Sequence, residues 1–166
     1  MKTIYLAGGC FWGVQKFFDQ FKGVKHTEAG YANGKKPDPT YFDVCHASGH
    51  AETVKIDYDE NEISLRKLLE YYFMVIDPLS YNQQGADRGI QYRTGIYYTD
   101  PEDLPVIKEY YDELEKEEMR QSGEPFAVEL MPLENFYPAE EEHQKYLEKN
   151  PGGYCHIFPK YFGLEK

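Results

Sequence analysis

Gly9-Cys10-Phe11-Trp12-Gly13 sets a lone thiol beside two large aromatics, between glycines. The apolar run Ile4 to Ala7 precedes it, and Val14, Phe17, Phe18 and Phe21 follow at the helical spacing i, i+3, i+4, i+7. A strand turning through glycine into a helix places Cys10 at the helix N-terminus, where unpaired N–H groups and the macrodipole favour an anion. A thiolate there is a nucleophile. Phe11 and Trp12 are unusual in a turn unless they line a pocket, so the thiol is expected to lie open in an aromatic dent. At the reference pKa of about 8.5, only ~3% of thiols are ionised at pH 7. No Lys or Arg is adjacent, so activation must come from backbone dipoles or from the bound substrate, against the acidity of the chain. Cys45 and Cys155 bring the thiols to three, an odd number that does not suggest a structural disulfide framework.

The elements that must position these groups read as follows. Thr3 to Ala7 is a buried strand, and Gly13 to Phe21 is a helix with Gly23 as a left-handed stop. Val24 to Tyr31 is a strand. A long loop from Ala32 to Gly49 is rich in Gly, Asn, Pro and Asp, and loops of that length often carry function. Thr53 to Tyr58 alternates as a strand. Ser64 caps an amphipathic helix that Asp77-Pro78 ends. A second long loop, Leu79 to Gln91, precedes the strand Thr94 to Tyr98. A charged helix falls between Asp103 and Gln121, a strand at Ala127 to Leu133, and a short acidic helix at Ala139 to Lys149. A coil-like tail follows from Asn150. The order predicts an α+β fold: a two-layer sandwich on a ferredoxin-like βαββαβ core, with an extra C-terminal strand, helix and coil tail.

The 166 residues suffice for one domain, 1–166, with a sizeable core. An aromatic content of 16% argues against disorder. A formal net charge of −11 argues against nucleic acid or an anionic membrane surface as partner. No stretch reads as a signal peptide or membrane helix, which makes the cytoplasm the default. A monomer is expected.

The pentapeptide resembles the signature of the peptide methionine sulfoxide reductase A family. Further segments resemble that family in order: Gly30-Tyr31-Ala32-Asn33-Gly34, Pro39-Thr40-Tyr41, Gly49-His50-Ala51-Glu52, Asp77-Pro78, Gly89-Ile90-Gln91-Tyr92-Arg93 and Asn150-Pro151-Gly152-Gly153-Tyr154-Cys155. Together they cover nearly the whole chain. The resemblance implies reduction of methionine sulfoxide, protein-bound or free, with preference for the S epimer.

Such a reduction needs a soft nucleophile to attack sulfur and an acid to protonate oxygen. Cys10 is the natural nucleophile and Glu52 the natural acid. A Glu with pKa about 4.3 would be protonated in only ~0.2% of molecules at pH 7, so burial must raise it. By resemblance, the Tyr41 and Tyr92 hydroxyls bond the sulfoxide oxygen or the acid, and Asp87 organises the polar side of the site. Ala86 stands where many family members carry Asn, a departure beside Asp87. Phe11 and Trp12 resemble the family's pocket for the substrate methyl group. Attack leaves a sulfenic acid on Cys10, and Cys155 is by resemblance the resolving thiol. Gly152-Gly153 would lend it the freedom to reach a distant partner. Thioredoxin would then reduce the disulfide. Cys45 reads as a loop or core thiol, or as the source of a side disulfide under oxidation.

No cofactor or metal is expected. Cys45, His46 and His50 make a weak zinc set, on one loop and without a fourth ligand nearby in sequence. Cys10, His50 and Asp87 make a rival cysteine hydrolase, which would need no thiol reductant. An acidic, tyrosine-rich binding module with an inert Cys10 is the non-enzymatic alternative.

Overall fold

The computed structural model describes residues 1–164; Glu165 and Lys166, the end of the predicted domain, lie outside the described residues. In chain order the strands and α-helices are β1 (Lys2–Gly8), α1 (Phe11–Asp19), β2 (Val24–Ala32), α2 (Tyr41–Cys45), β3 (Ala51–Tyr58) and α3 (Leu65–Val75). There follow β4 (Gln83–Gln84), β5 (Asp87–Arg88), β6 (Thr94–Tyr98), α4 (Asp103–Ser122), β7 (Glu129–Pro132), β8 (Phe136–Pro138) and α5 (Tyr146–Lys149). Among the described residues, six strands form one sheet in the order β7-β6-β1-β3-β2-β8, and β4 and β5 form a separate hairpin. Neighbours in the large sheet are antiparallel except β6 and β7. The fold is α+β, with a mostly antiparallel central sheet.

Alternation gives the sheet two unlike faces. Ile4 and Leu6 pair across to Ile56 and Val54, and β3 pairs onward with Thr27, Ala29 and Tyr31 of β2. This face forms the main core with Val14, Phe17 and Phe18 of α1, Leu68 and Leu69 of α3, and Ile107 of α4. The opposite face is a small cluster of Tyr5, Ala7, Ala32, Ala51 and Tyr97, against which Leu133 and Phe136 pack.

Several elements differ from the sequence expectation. α1 begins at Phe11 rather than Gly13, and ends at a right-handed Gln20. Gly23 is no left-handed stop; a side chain there would overlap Ile63, so this glycine serves close approach. The first long loop contains α2, capped by the reciprocal Thr40–Asp43 box. The expected helix 139–149 is instead a 3-10 turn, Glu141–His143, then Lys145 in left-handed backbone (φ 55°), then α5. The expected strand at 127–133 is trimmed to β7, and β8 is added on the far edge of the sheet. The C-terminal segment is no free coil. Ile157 is buried, and the backbone N–H groups of Gly163 and Leu164 donate to the Gln20 side chain at 2.8 and 2.7 Å.

Candidate active site

Cys10 stands between β1 and α1, as the N-cap residue of the helix. Gly9 has φ +89°, and a Cβ there would lie 2.7 Å from the Gln84 side chain and 3.1 Å from His156 Nε2, so glycine is required on both counts. Behind this turn, the Tyr72 hydroxyl donates to the Ala7 carbonyl (2.7 Å) and accepts from Gly95 N–H (3.1 Å), fixing the exit of β1 against β6. The thiol is not open as expected: Cys10 is only 5% exposed. Burial pushes its pKa far up, the Glu52 charge adds to that, and a hydrogen bond from Trp12 N–H opposes it. The N-terminal dipole of a nine-residue helix is outweighed.

Glu52 occupies the inner face of β3, in the same alternating row as Val54, Ile56 and Tyr58 and opposite Tyr31. It is 1% exposed. Phe11 N–H, the first amide of α1, donates to Oε1 at 3.2 Å; Oε2 has no partner among the described residues. Burial raises its pKa to about 8; the Phe11 bond opposes this and the Asp87 charge adds to it.

Tyr41 starts α2, and Tyr92 ends a 3-10 turn, Ile90–Tyr92. Both are half-buried. Burial raises both phenols above their usual range, and the Glu52 charge is the next contribution for each; Tyr92 also senses Cys10, Asp87 and Cys45. Arg93 holds the Tyr92 turn by donating to the Ile90 carbonyl (3.0 Å), the Asn33 carbonyl (3.2 Å) and Glu129 (2.7 Å). Asp87, on β5, accepts from the Tyr154 hydroxyl at 3.0 Å. Thus Cys10, Glu52, Tyr41, Tyr92 and Asp87 converge, although they come from five separate parts of the chain.

The two aromatics after the thiol part company. Phe11 is fully buried, with ring centroids 5.7 Å from Tyr31 and 6.4 Å from Tyr41. Trp12 is half-buried, stacks on Tyr146 at 3.8 Å, and donates its indole N–H to His143 Nδ1 at 3.2 Å. It lines a cavity of about 460 Å³ with Lys16, Leu147, Pro151 and Phe162, but neither Cys10 nor Glu52 reaches that cavity.

The tail packs beside the turn that carries the thiol. Cys155 needs no long excursion: a Cβ on Gly13 would lie 2.9 Å from its Sγ, so it already rests on the first turn of α1. Tyr154 is bonded to Asp87, and His156 Nε2 donates to the Gly8 carbonyl at 2.9 Å. Cys10, Cys45 and Cys155 are all free thiols. Cys45 ends α2, half-buried.

His50 Nδ1 bonds Ser48 Oγ at 2.8 Å, its ring lies against Gly34 and Tyr137, and among the described residues it makes no hydrogen bond to Cys10. Cys45, His46 and His50 do not group as metal ligands among the described residues; Glu140, Glu142 and His143 do. In that group, however, both Glu140 oxygens and His143 Nδ1 already accept hydrogen bonds from protein groups.

Sequence reasoning missed one segment of this site, residues 139–146. Glu140 accepts from the Tyr31 hydroxyl (2.7 Å) and from Tyr41 N–H (3.0 Å). Gln144 accepts from Ala29 N–H and donates to the Ala29 carbonyl, so its side chain acts as one more rung on β2. The acidic run Glu140-Glu141-Glu142 reads as a solvated face; its partners are about a hundred residues away in sequence.

Residues 2–162 match the family described as peptide methionine sulfoxide reductase. The peptide methionine sulfoxide reductase MsrA of Lachnoclostridium phytofermentans is 57% identical over 157 residues, covering 94% of this chain and 92% of that one. The chain belongs to the peptide methionine sulfoxide reductase family. It is therefore an oxidoreductase. The reduced form of Mxr1 from Saccharomyces cerevisiae superposes with a TM-score of 0.86 at 36% identity, covering 95% of this chain and 91% of that one. A second structure, Mxr1 in complex with Trx2, has a TM-score of 0.59 at 24% identity, covering 87% and 84%, and supports the fold alone. The reductase match runs from β1 past Cys155, so Cys10, Tyr41, Glu52, Asp87, Tyr92 and Cys155 all lie within it.

Proposed function

We propose that this chain reduces methionine S-sulfoxide, free or within proteins, with Cys10 as nucleophile and Glu52 as acid. The observation that carries the reading is a buried carboxyl that keeps its proton to about pH 8 beside a buried thiol. Near neutral pH such a carboxyl is mostly protonated. A neutral Glu52 also removes its own charge from beside Cys10, so the acid form serves both groups.

Cys10 Sγ attacks the sulfoxide sulfur as Glu52 protonates the oxygen. Methionine leaves with its sulfur reduced by two electrons, and Cys10 keeps the oxygen as a sulfenic acid. The thiol proton replaces the one Glu52 gave. The Tyr41 and Tyr92 hydroxyls donate to the sulfoxide oxygen, Asp87 orders the polar side, and Phe11 and Trp12 bound the methyl group; donors on one side and aromatics on the other select one epimer. Cys155 then attacks the sulfenic sulfur, an S–S bond forms and water leaves. A dithiol of the thioredoxin type reduces that bond by exchange; Mxr1, 36% identical to this chain in its reduced form, is itself found with Trx2. The four strands β6-β1-β3-β2 are those of a ferredoxin-like split βαβ core, and the chain works as one monomeric domain in the cytoplasm. Among the described residues, no helix is long and apolar enough to cross a membrane.

The test is reduction of N-acetyl methionine sulfoxide with dithiothreitol. The wild-type chain is expected to turn over and C10S to lose activity; turnover by C10S would remove Cys10 from the role.

A further inference from the structure

We propose that Glu140 is a positioning residue for this reaction, acting through Tyr41; the inference rests on the reductase reading above. α2 has only five residues, and its first amide, Tyr41 N–H, has no partner in so short a helix. Glu140 Oε2 accepts that amide at 3.0 Å, while Oε1 accepts the Tyr31 hydroxyl at 2.7 Å. One carboxylate thus ties the start of α2 to β2, the strand whose Tyr31 lies opposite Glu52 in register. The same segment fixes the other side of the ring. His143 packs on Tyr41 with centroids 4.4 Å apart, and is itself held by the Trp12 indole N–H. The segment is anchored by Gln144 on the Ala29 backbone and by Lys145 N–H donating to Gln15 at 2.9 Å. Glu140 touches neither Cys10 nor the Glu52 carboxyl among its hydrogen bonds, so its effect must pass through the placement of the phenol.

The test separates placement from collapse. Single-turnover methionine release and alkylation of Cys10 by iodoacetamide, mapped by peptide mass, are measured on each variant. E140A is expected to slow methionine release by about 10- to 100-fold, the scale of a misplaced reacting group, while leaving Cys10 alkylation within about twofold. E140Q can still accept Tyr41 N–H and donate to the Tyr31 oxygen, and is expected to restore release to within about threefold of wild type. In a Y41F background E140A should cost nothing further. E140D keeps the charge but withdraws both oxygens by one methylene, and should also be slow, which keeps the test decisive if E140A does not fold. Wild-type rates in E140A or E140D, losses additive with Y41F, or a parallel fall in Cys10 alkylation would overturn the proposal. Failure of the wild-type chain itself to release methionine would instead overturn the reductase reading.

Discussion

Burial holds the proton of Glu52 to about pH 8, against an ordinary value of 4.5. Turnover should therefore fall as pH rises through about 8, and E52Q, which keeps the shape but loses the acid, should drop by about 10² to 10⁴; a pH–rate profile of both proteins checks this. The same shift acts on stability with a definite sign. Between pH 4.5 and 8 the folded chain holds a proton the unfolded chain has released, so stability falls as pH rises through that window. Relative to E52Q, the wild type should lose roughly 3 kcal/mol between pH 5 and pH 8 in urea melts. At this scale the sequence was informative where a group sits in a distinctive local string. Cys10, Glu52, Tyr41, Tyr92 and Asp87 all stand in such strings, and the Glu52 charge acts on Cys10, Tyr41 and Tyr92 while that of Asp87 acts on Cys10, Glu52 and Tyr92. Glu140 and His143 were not, because a run of three glutamates looks like solvent-facing charge and their partners lie elsewhere in the chain. Tyr31 lay in a quoted segment, but its hydroxyl contact could not be read without the fold.

The tail segment 154–157 is pinned beside the turn that carries Cys10. Tyr154 grips Asp87, and His156 grips the Gly8 carbonyl beside the thiol. H156A removes that second contact and should speed iodoacetamide labelling of Cys10 several-fold; an unchanged labelling rate would mean that some other element covers the thiol. The sequence identified the tail residues but read two glycines as slack. Gly153 is in fact closely packed, with a Cβ there lying 2.9 Å from the Tyr146 ring. Elements with a clear apolar pattern, such as β1, α1, β3 and α3, were legible within a few residues, and α4 was legible as a charged helix. β8 has three residues and gains its pairing only from β2, while α2 rests on its capping box, so neither shows a hydrophobic period. The helix expected at 139–149 fails at Lys145, whose left-handed backbone lets the chain turn back over Trp12.

Across the whole molecule, the two ends of the chain are brought to one place, with Cys10 on the first helix and Cys155 resting over its first turn. This arrangement predicts a clean division of labour. C155S should still release one equivalent of methionine, but should stall when thioredoxin is the only reductant. Rapid thioredoxin-dependent cycling of C155S would shift the resolving role to Cys45 or to direct attack on Cys10. Mass mapping of the oxidised wild type should find Cys10 joined to Cys155.

The 5% exposure of Cys10 and its raised pKa also bear on survival of the idle protein. Hydrogen peroxide consumes thiolates, and the deeper acids of sulfur are irreversible losses. A chain that mends oxidative damage does so amid the agents that cause it. By keeping its sulfur protonated and screened until a sulfoxide arrives, it offers those agents little to burn.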